Sequence, residues 1–226
     1  MLVTPPIVST GPCRRTPLVD VASGRAHAVE VQPGWGMYGV LPCIEQAAGA
    51  LPAWRAQLGR PGLAMVVDLA LAELAGLGSD DVCDVLARHD LAPDALILRV
   101  PSFAAGDPTA ELDRLADMGV SIAVASLDLR GAGAGLLGGA PVDLIELPPA
   151  AVALLDLDGD ALHEIELTAE LAHRHDWLTY ARDVARPEQL AALRRFGCDL
   201  VAGPAVTLTW PAIAQALERV PAPLAS

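Results

Sequence analysis

The chain has 226 residues, 53% of them hydrophobic, and a formal net charge of −13. That is enough apolar material for one sizeable core, and acidity of this size argues against a nucleic-acid surface, which needs concentrated Lys and Arg. The four cysteines, Cys13, Cys43, Cys83 and Cys198, lie far apart with no CxxC, which reads as a reduced, cytoplasmic chain with neither a zinc site nor a disulfide framework.

Residues 1–15 read as a proline-bearing leader whose charges follow its apolar part, the wrong order for a secretory signal. Leu18 to Val21 and His27 to Val31 are two short strands joined by Ala22-Ser23-Gly24-Arg25. So short a link permits an antiparallel hairpin and forbids a parallel crossover. Gln32 to Gly39 is a glycine-rich loop, and Cys43 to Leu58 has apolar residues at helical spacing up to Gly59 and Pro61.

Leu63 to Leu71 is a third, strongly apolar strand. A helix capped by Ser79 runs to about His89, and Ala95 to Val100 is the fourth strand. Asp107-Pro108 opens a helix that reaches Met118 and stops at Gly119. Val120 to Leu127 and Val142 to Leu147 are strands five and six. Asp160 to Asp176 is amphipathic and helical, and Leu178 to Val184 is strand seven. Arg186-Pro187 opens a helix ending at Phe196-Gly197, Asp199 to Ala202 is strand eight, and Pro211 opens a last helix to Val220. The longest uncharged run, Leu200 to Leu217, contains Pro204 and Pro211 and reads as strand plus helix, not as a membrane span.

Eight strands mostly separated by helices predict an α/β fold, a barrel with one antiparallel strand contributed by the hairpin. The barrel is expected over 16–220, with tails at 1–15 and 221–226. Between strands five and six, Gly133, Gly135 and Gly138 spell GxGxxG. Asp128-Leu129-Arg130 separate them from the strand, and Pro141 follows too soon for a phosphate-binding helix. A small-residue crossover is therefore expected in place of a dinucleotide site.

Taken in order, the segments resemble the EAL domain, the bacterial cyclic di-GMP phosphodiesterase module. TPLVDVASGRAHAVEV resembles that family's opening hairpin with its Val-Glu-Ala-Leu signature. LARHDLAPDALILRV is similar to the helix and strand before its Ile-Thr-Glu, and GVSIAVASLDL to the strand that ends in Asp-Asp-Phe-Gly-Thr-Gly. APVDLIEL resembles the Leu-Pro-Val-Asp-x-Leu-Lys-Ile-Asp strand. ARDVARPEQLAALRRFGCDLVAGPAV resembles the stretch from Ala-Glu-Gly-Val-Glu-Thr to Gly-Cys-Asp-x-x-Gln-Gly-Tyr, its PEQLAALRRFGCDL core being the most specific match. The resemblance implies a TIM-like (β/α)8 barrel of EAL type with one antiparallel strand. In active members, two divalent metals held by carboxylates and an Asn at strand ends activate a water that attacks a phosphodiester.

On that resemblance most of the machinery is replaced. The signature glutamate survives as Glu30, and the metal-binding Asn falls on Asp68. The Glu of Ile-Thr-Glu falls on Ser102, and the paired aspartates on Ala125 and Ser126. The catalytic lysine falls on Glu146, the Asp after it on Pro148, and the Glu of Ala-Glu-Gly on Arg182. The next motif glutamate falls on Ala185, the late Gln on Ala202, and the ligand-binding arginine on Gly34 beside a retained Trp35. No metal or other cofactor is expected. Arg182 either pairs with Glu30, Asp68 or Glu146, replacing metal charge, or projects into solvent.

The expectation is a catalytically inactive, protein-binding module with an unidentified partner. Non-hydrolysing cyclic di-GMP binding, with Arg130 and Arg182 as replacement phosphate contacts, is the alternative, and a residual hydrolase comes third. The family's habit of dimerising carries over as an expected homodimer. Trp35, Met37 and Tyr38 form either an exposed contact surface or a lid over the barrel mouth.

Overall fold

Eight strands close into one barrel in sequence order, β1 to β8. The computed structural model describes residues 14–32, 39–74, 76–101, 110–125, 141–155 and 157–219. The strands are β1 (Arg14–Asp20), β2 (Ala26–Gln32), β3 (Ala64–Asp68), β4 (Leu96–Val100), β5 (Ser121–Val124), β6 (Leu144–Glu146), β7 (Leu178–Ala181) and β8 (Leu200–Val201). β1 runs antiparallel to both β2 and β8, and every other pairing is parallel. The expected antiparallel strand is therefore present, and its cause is the short hairpin. Asp20 accepts Ser23 N–H at 2.6 Å through its side chain and Gly24 N–H at 2.9 Å through its carbonyl. Gly24 takes φ +64°, and a Cβ there would meet the Trp210 indole nitrogen at 2.5 Å.

The helices are α1 (Val40–Leu58), α2 (Leu71–Leu74), α3 (Ser79–Arg88), α4 (Ala110–Asp117), α5 (Pro149–Leu154), α6 (Gly159–Arg174), α7 (Pro187–Arg195), α8 (Pro204–Thr209) and α9 (Pro211–Glu218). Several boundaries differ from expectation. β1 begins at Arg14, four residues before Leu18 and inside the expected leader. β3 ends at Asp68, short of Leu71, where the chain turns into α2. Helices α5 and α8 are unforeseen. At six residues each they are too short to display a 3.6-residue period. The GxGxxG stretch, the Asp107-Pro108 opening and the segments 1–13 and 220–226 lie outside the described residues.

Side chains alternate across each strand, and this sets the layers. Leu18, Ala28, Ala64, Val66, Ile97, Ala123, Leu144, Tyr180, Leu200 and Ala202 pack into one cluster inside the barrel. The opposite parity, such as Met65, Val67, Leu96 and Leu98, packs outward with Ile44, Leu51 and Trp54 of α1. The β7–α7–β8 unit has its own cluster, with Ala181, Val184, Leu190, Leu193 and Val201 buried.

The specific segment PEQLAALRRFGCDL owes its residues to local geometry. Gln189 is buried, accepts Ala185 and Arg186 N–H at 3.0 Å each, and donates to Val152 O on α5 at 2.8 Å. Gly197 stops α7 with φ +72°, and Cys198 is buried, which pushes its thiol up to about 12. Asp199 accepts both the N–H and the hydroxyl of Thr179 at 2.8 and 2.7 Å, tying the start of β8 to β7.

Candidate functional site

The inward parity that fills the barrel with Ala28, Val66, Ile97, Leu144 and Tyr180 arrives, two residues later, at a charged layer. The next inward positions are Glu30, Asp68, Arg99, Glu146 and Arg182, at the C-terminal ends of β2, β3, β4 and β6 and just past β7. Ala125 and Ala202 hold the same parity after β5 and β8 and bring no charge. This end of a (β/α)8 barrel is where such folds place their chemistry.

Two guanidiniums organise the layer. Arg99 donates from Nη1 to Asp68 Oδ1 at 2.7 Å and from Nη2 to Glu146 Oε2 at 2.9 Å. Its Nε donates to Glu146 Oε2 and to Tyr180 Oη, both at 3.1 Å. The Tyr180 hydroxyl in turn donates to Glu146 Oε2 at 3.3 Å. Arg182 forks onto Glu30, with Nε donating to Oε2 at 3.2 Å and Nη2 to Oε1, while Gln32 Nε2 donates to Glu30 Oε1 at 3.2 Å.

Burial decides the electrostatics. The Glu146 side chain is 2% exposed and that of Glu30 is 6%. The two arginines are 15% and 14% exposed, whereas Asp68 is 38% exposed. Desolvation pushes the Glu146 carboxyl above its ordinary range, against the pull of Arg99. Desolvation likewise raises Glu30 against the pull of Arg182. Burial disfavours charge on Arg99, but Tyr180, Glu146 and Asp68 outweigh it and hold the guanidinium firmly protonated. Burial, with Glu146 beside it, keeps Tyr180 a neutral phenol.

Glu30, Asp68, Ala125, Glu146 and Arg182 thus meet at one mouth, and of the two fates open to Arg182 the pairing with Glu30 is the one adopted. Ser102, Ser126, Trp35, Met37 and Tyr38 lie outside the described residues. Sequence reasoning missed Arg99 and Tyr180. On β4 the resemblance directs attention to Ser102, outside the described residues, and not to Arg99. The signal was nonetheless present, because Arg99 is the one charge within the otherwise apolar strand LILRV, at inward parity from Ile97.

The resemblance implies a pair of divalent metals at this mouth. Each of the three carboxylates already holds a guanidinium, and two fixed positive charges stand among them. Among the described residues no group of three or more His, Cys, Asp or Glu side chains is arranged to hold a metal ion. The donors do not fit two divalent ions. Beside the layer lies a cavity of about 750 Å³ bordered by Arg14, Arg15, Glu30, Arg182, Leu208 and Glu218.

Comparison with known proteins agrees with the architecture. The EAL domain of Mycobacterium smegmatis DcpA superimposes with a TM-score of 0.75 at 19% identity, covering 94% of this chain and 98% of that one. The PaMucR phosphodiesterase in its c-di-GMP complex gives 0.76 at 21% identity, over 86% of this chain and 89% of that one. The cAMP-bound EAL enzyme Bd1971 gives 0.76 at 16% identity, and this chain, matched over 86% of its length, spans 62% of that longer protein. At these identities the likeness is one of fold. No curated protein sequence matches the chain. The model of the EAL domain family matches residues 43–207, well over half of the sequence. The chain belongs to the EAL domain family.

Proposed function

We propose that this chain is a catalytically inactive EAL protein that acts in the cytoplasm as a regulatory, protein-binding module related to bacterial cyclic di-GMP signalling. The observation that carries the reading is the pair of guanidiniums set among the mouth carboxylates. Metal-assisted phosphodiester hydrolysis needs clustered, unneutralised oxygen donors to fix two cations and lower the pKa of a bound water. Here Arg99 and Arg182 occupy the donors instead, two fixed positive charges on three carboxylates, and the uncharged Ala125 stands in the same layer. A closed barrel around a mouth whose oxygen donors are already taken supports a role exercised through its surface, toward a protein partner or a second copy of the chain.

Purified protein incubated with cyclic di-GMP and magnesium or manganese is expected to release no linear product above the protein-free control. Hydrolysis that disappears in Glu30→Ala would overturn the proposal. A second reading, non-hydrolysing binding of cyclic di-GMP, is favoured by the cavity that Arg14, Arg15 and Arg182 border. Calorimetric titration with cyclic di-GMP, with and without calcium, separates the two. Binding at micromolar concentration would put the receptor reading first.

A further inference from the structure

We propose that the Arg99 guanidinium is an internal counter-ion filling a cation seat at the barrel mouth. It makes the fold independent of divalent cations, and its removal opens the seat to one. The inference rests on the reading that no metal chemistry takes place at this mouth, and it adds what has taken the metal's electrostatic role.

The geometry is that of a cation site with a guanidinium in it. Three oxygens from three strands converge on Arg99: Asp68 Oδ1 of β3, Glu146 Oε2 of β6 and Tyr180 Oη of β7. All lie 2.7–3.1 Å from its nitrogens. The two carboxylates are hard oxygen donors of the kind that hold calcium, and the neutral Tyr180 hydroxyl completes the polar wall of the seat. Asp68, at 38% exposed, gives the seat an opening to solvent, and Glu146, at 2%, closes its floor.

Charge decides which occupant wins. Asp68 and Glu146 together carry −2, and Arg99 reduces this to −1 without leaving the protein. A divalent ion would then have to enter beside a permanent positive charge on the same two carboxylates. Without the guanidinium, the two carboxylates face each other with no fixed counter-ion between them, and a divalent ion matches their charge. The second guanidinium behaves differently. Among the described residues Arg182 hydrogen-bonds to a single carboxylate, Glu30, which also accepts from the Gln32 amide; Asp68 and Glu146 act on this pair through space but stay bonded to Arg99, so removing Arg182 frees one carboxylate and no seat.

The test is thermal melting of wild type, Arg99→Gln and Arg182→Gln in EDTA and in about 10 mM calcium chloride at matched ionic strength. Wild type and R182Q are expected to melt within about 1 °C of themselves in the two buffers. R99Q is expected to gain about 3–6 °C in calcium, the shift for a site of roughly millimolar affinity in a domain of this size. A wild type that melts lower in EDTA than in calcium overturns the proposal, as does an R99Q without a calcium response. If R99Q is unfolded in EDTA, recovery of cooperative melting in calcium supports the proposal and failure in both buffers overturns it. None of these readouts uses activity. Hydrolysis by the wild type would sink the functional reading, while the melting curves still decide whether Arg99 displaces the cation.

Discussion

Replacing Arg99 with alanine is expected to cost about 3–5 kcal/mol of stability, or about 6–20 °C in melting temperature. The two arms of the cluster contribute unequally. Asp68 is 38% exposed, so water screens its arm, which is worth about 0–1 kcal/mol. Glu146 is 2% exposed, and without Arg99 its one remaining hydrogen-bond donor among the described residues is the Tyr180 hydroxyl, with Arg182 acting on it through space. The cost is therefore that of a buried carboxyl stripped of its bonded counter-charge.

The neighbouring substitution should behave differently. Glu146→Gln leaves Arg99 paired with Asp68 and hydrogen-bonded to Tyr180, so about 1–2 kcal/mol is expected. Replacing Arg99 and Glu146 by leucine together with Tyr180→Phe removes the buried polar groups as a set. That triple variant should come within about 1.5 kcal/mol of wild type, despite carrying the costliest single change. The sign of the pH dependence follows from burial. Glu146 sits above its ordinary value of 4.5 in the folded state, and R99A removes the guanidinium that opposes this. The folded variant then binds that proton more tightly than the unfolded chain. Its deficit is full above the raised pKa and shrinks as pH falls toward the ordinary carboxylate range. Urea denaturation between neutral pH and pH 5 measures both effects. An R99A no costlier than E146Q, or a deficit that grows on acidification, would refute the account.

The site was legible where chain geometry dictated it. The hairpin forced an antiparallel strand because its link is too short for a crossover, and β1 pairs as required. The pairing of Arg182 was one of the open alternatives because a charge that follows a buried strand must find a partner or water. Arg99 was not legible by the same route. Its partners Asp68, Glu146 and Tyr180 lie 31, 47 and 81 residues away, and only barrel closure brings them together. What the sequence does carry is the anomaly itself, an arginine inside a strand whose neighbours are all apolar. A buried strand accepts that only if charges from other strands meet it, so such a residue predicts partners without naming them. Helices α5 and α8 were hidden for another reason. Their anchors are tertiary: Gln189 of α7 donates to Val152 O of α5, and Ala205 N–H of α8 donates to Val184 O.

Arg182→Ala is expected to loosen the barrel locally, at the seam that closes it. Around the ring, β7, β8, β1 and β2 are consecutive, and the Arg182–Glu30 pair joins the first to the last across the mouth. The sheet beneath is thin there. β8 is two residues long, and its register with β1 is limited to Val19 with Val201 and Asp20 with Leu200. A bidentate bond between two side chains that are 14% and 6% exposed can carry more of the closure than those two pairs. Removing it should cost about 3 kcal/mol, the low end for a broken buried pair because Gln32 still donates to Glu30. Arg182→Lys should recover less than half of the loss, since one ammonium cannot fork onto both carboxylate oxygens. The regional signature is native-state hydrogen exchange. The Ala202 amide, bonded to Ala181 O, and the Val21 amide, bonded to Asp199 O, should exchange about ten-fold faster or more in R182A. The β3–β4 amides, whose ladder runs from Met65 with Leu96 to Asp68 with Arg99, should slow or quicken only with global stability. Uniform acceleration of both sets would mean that the pair adds to the fold as a whole and does not act as the clasp of its weakest seam.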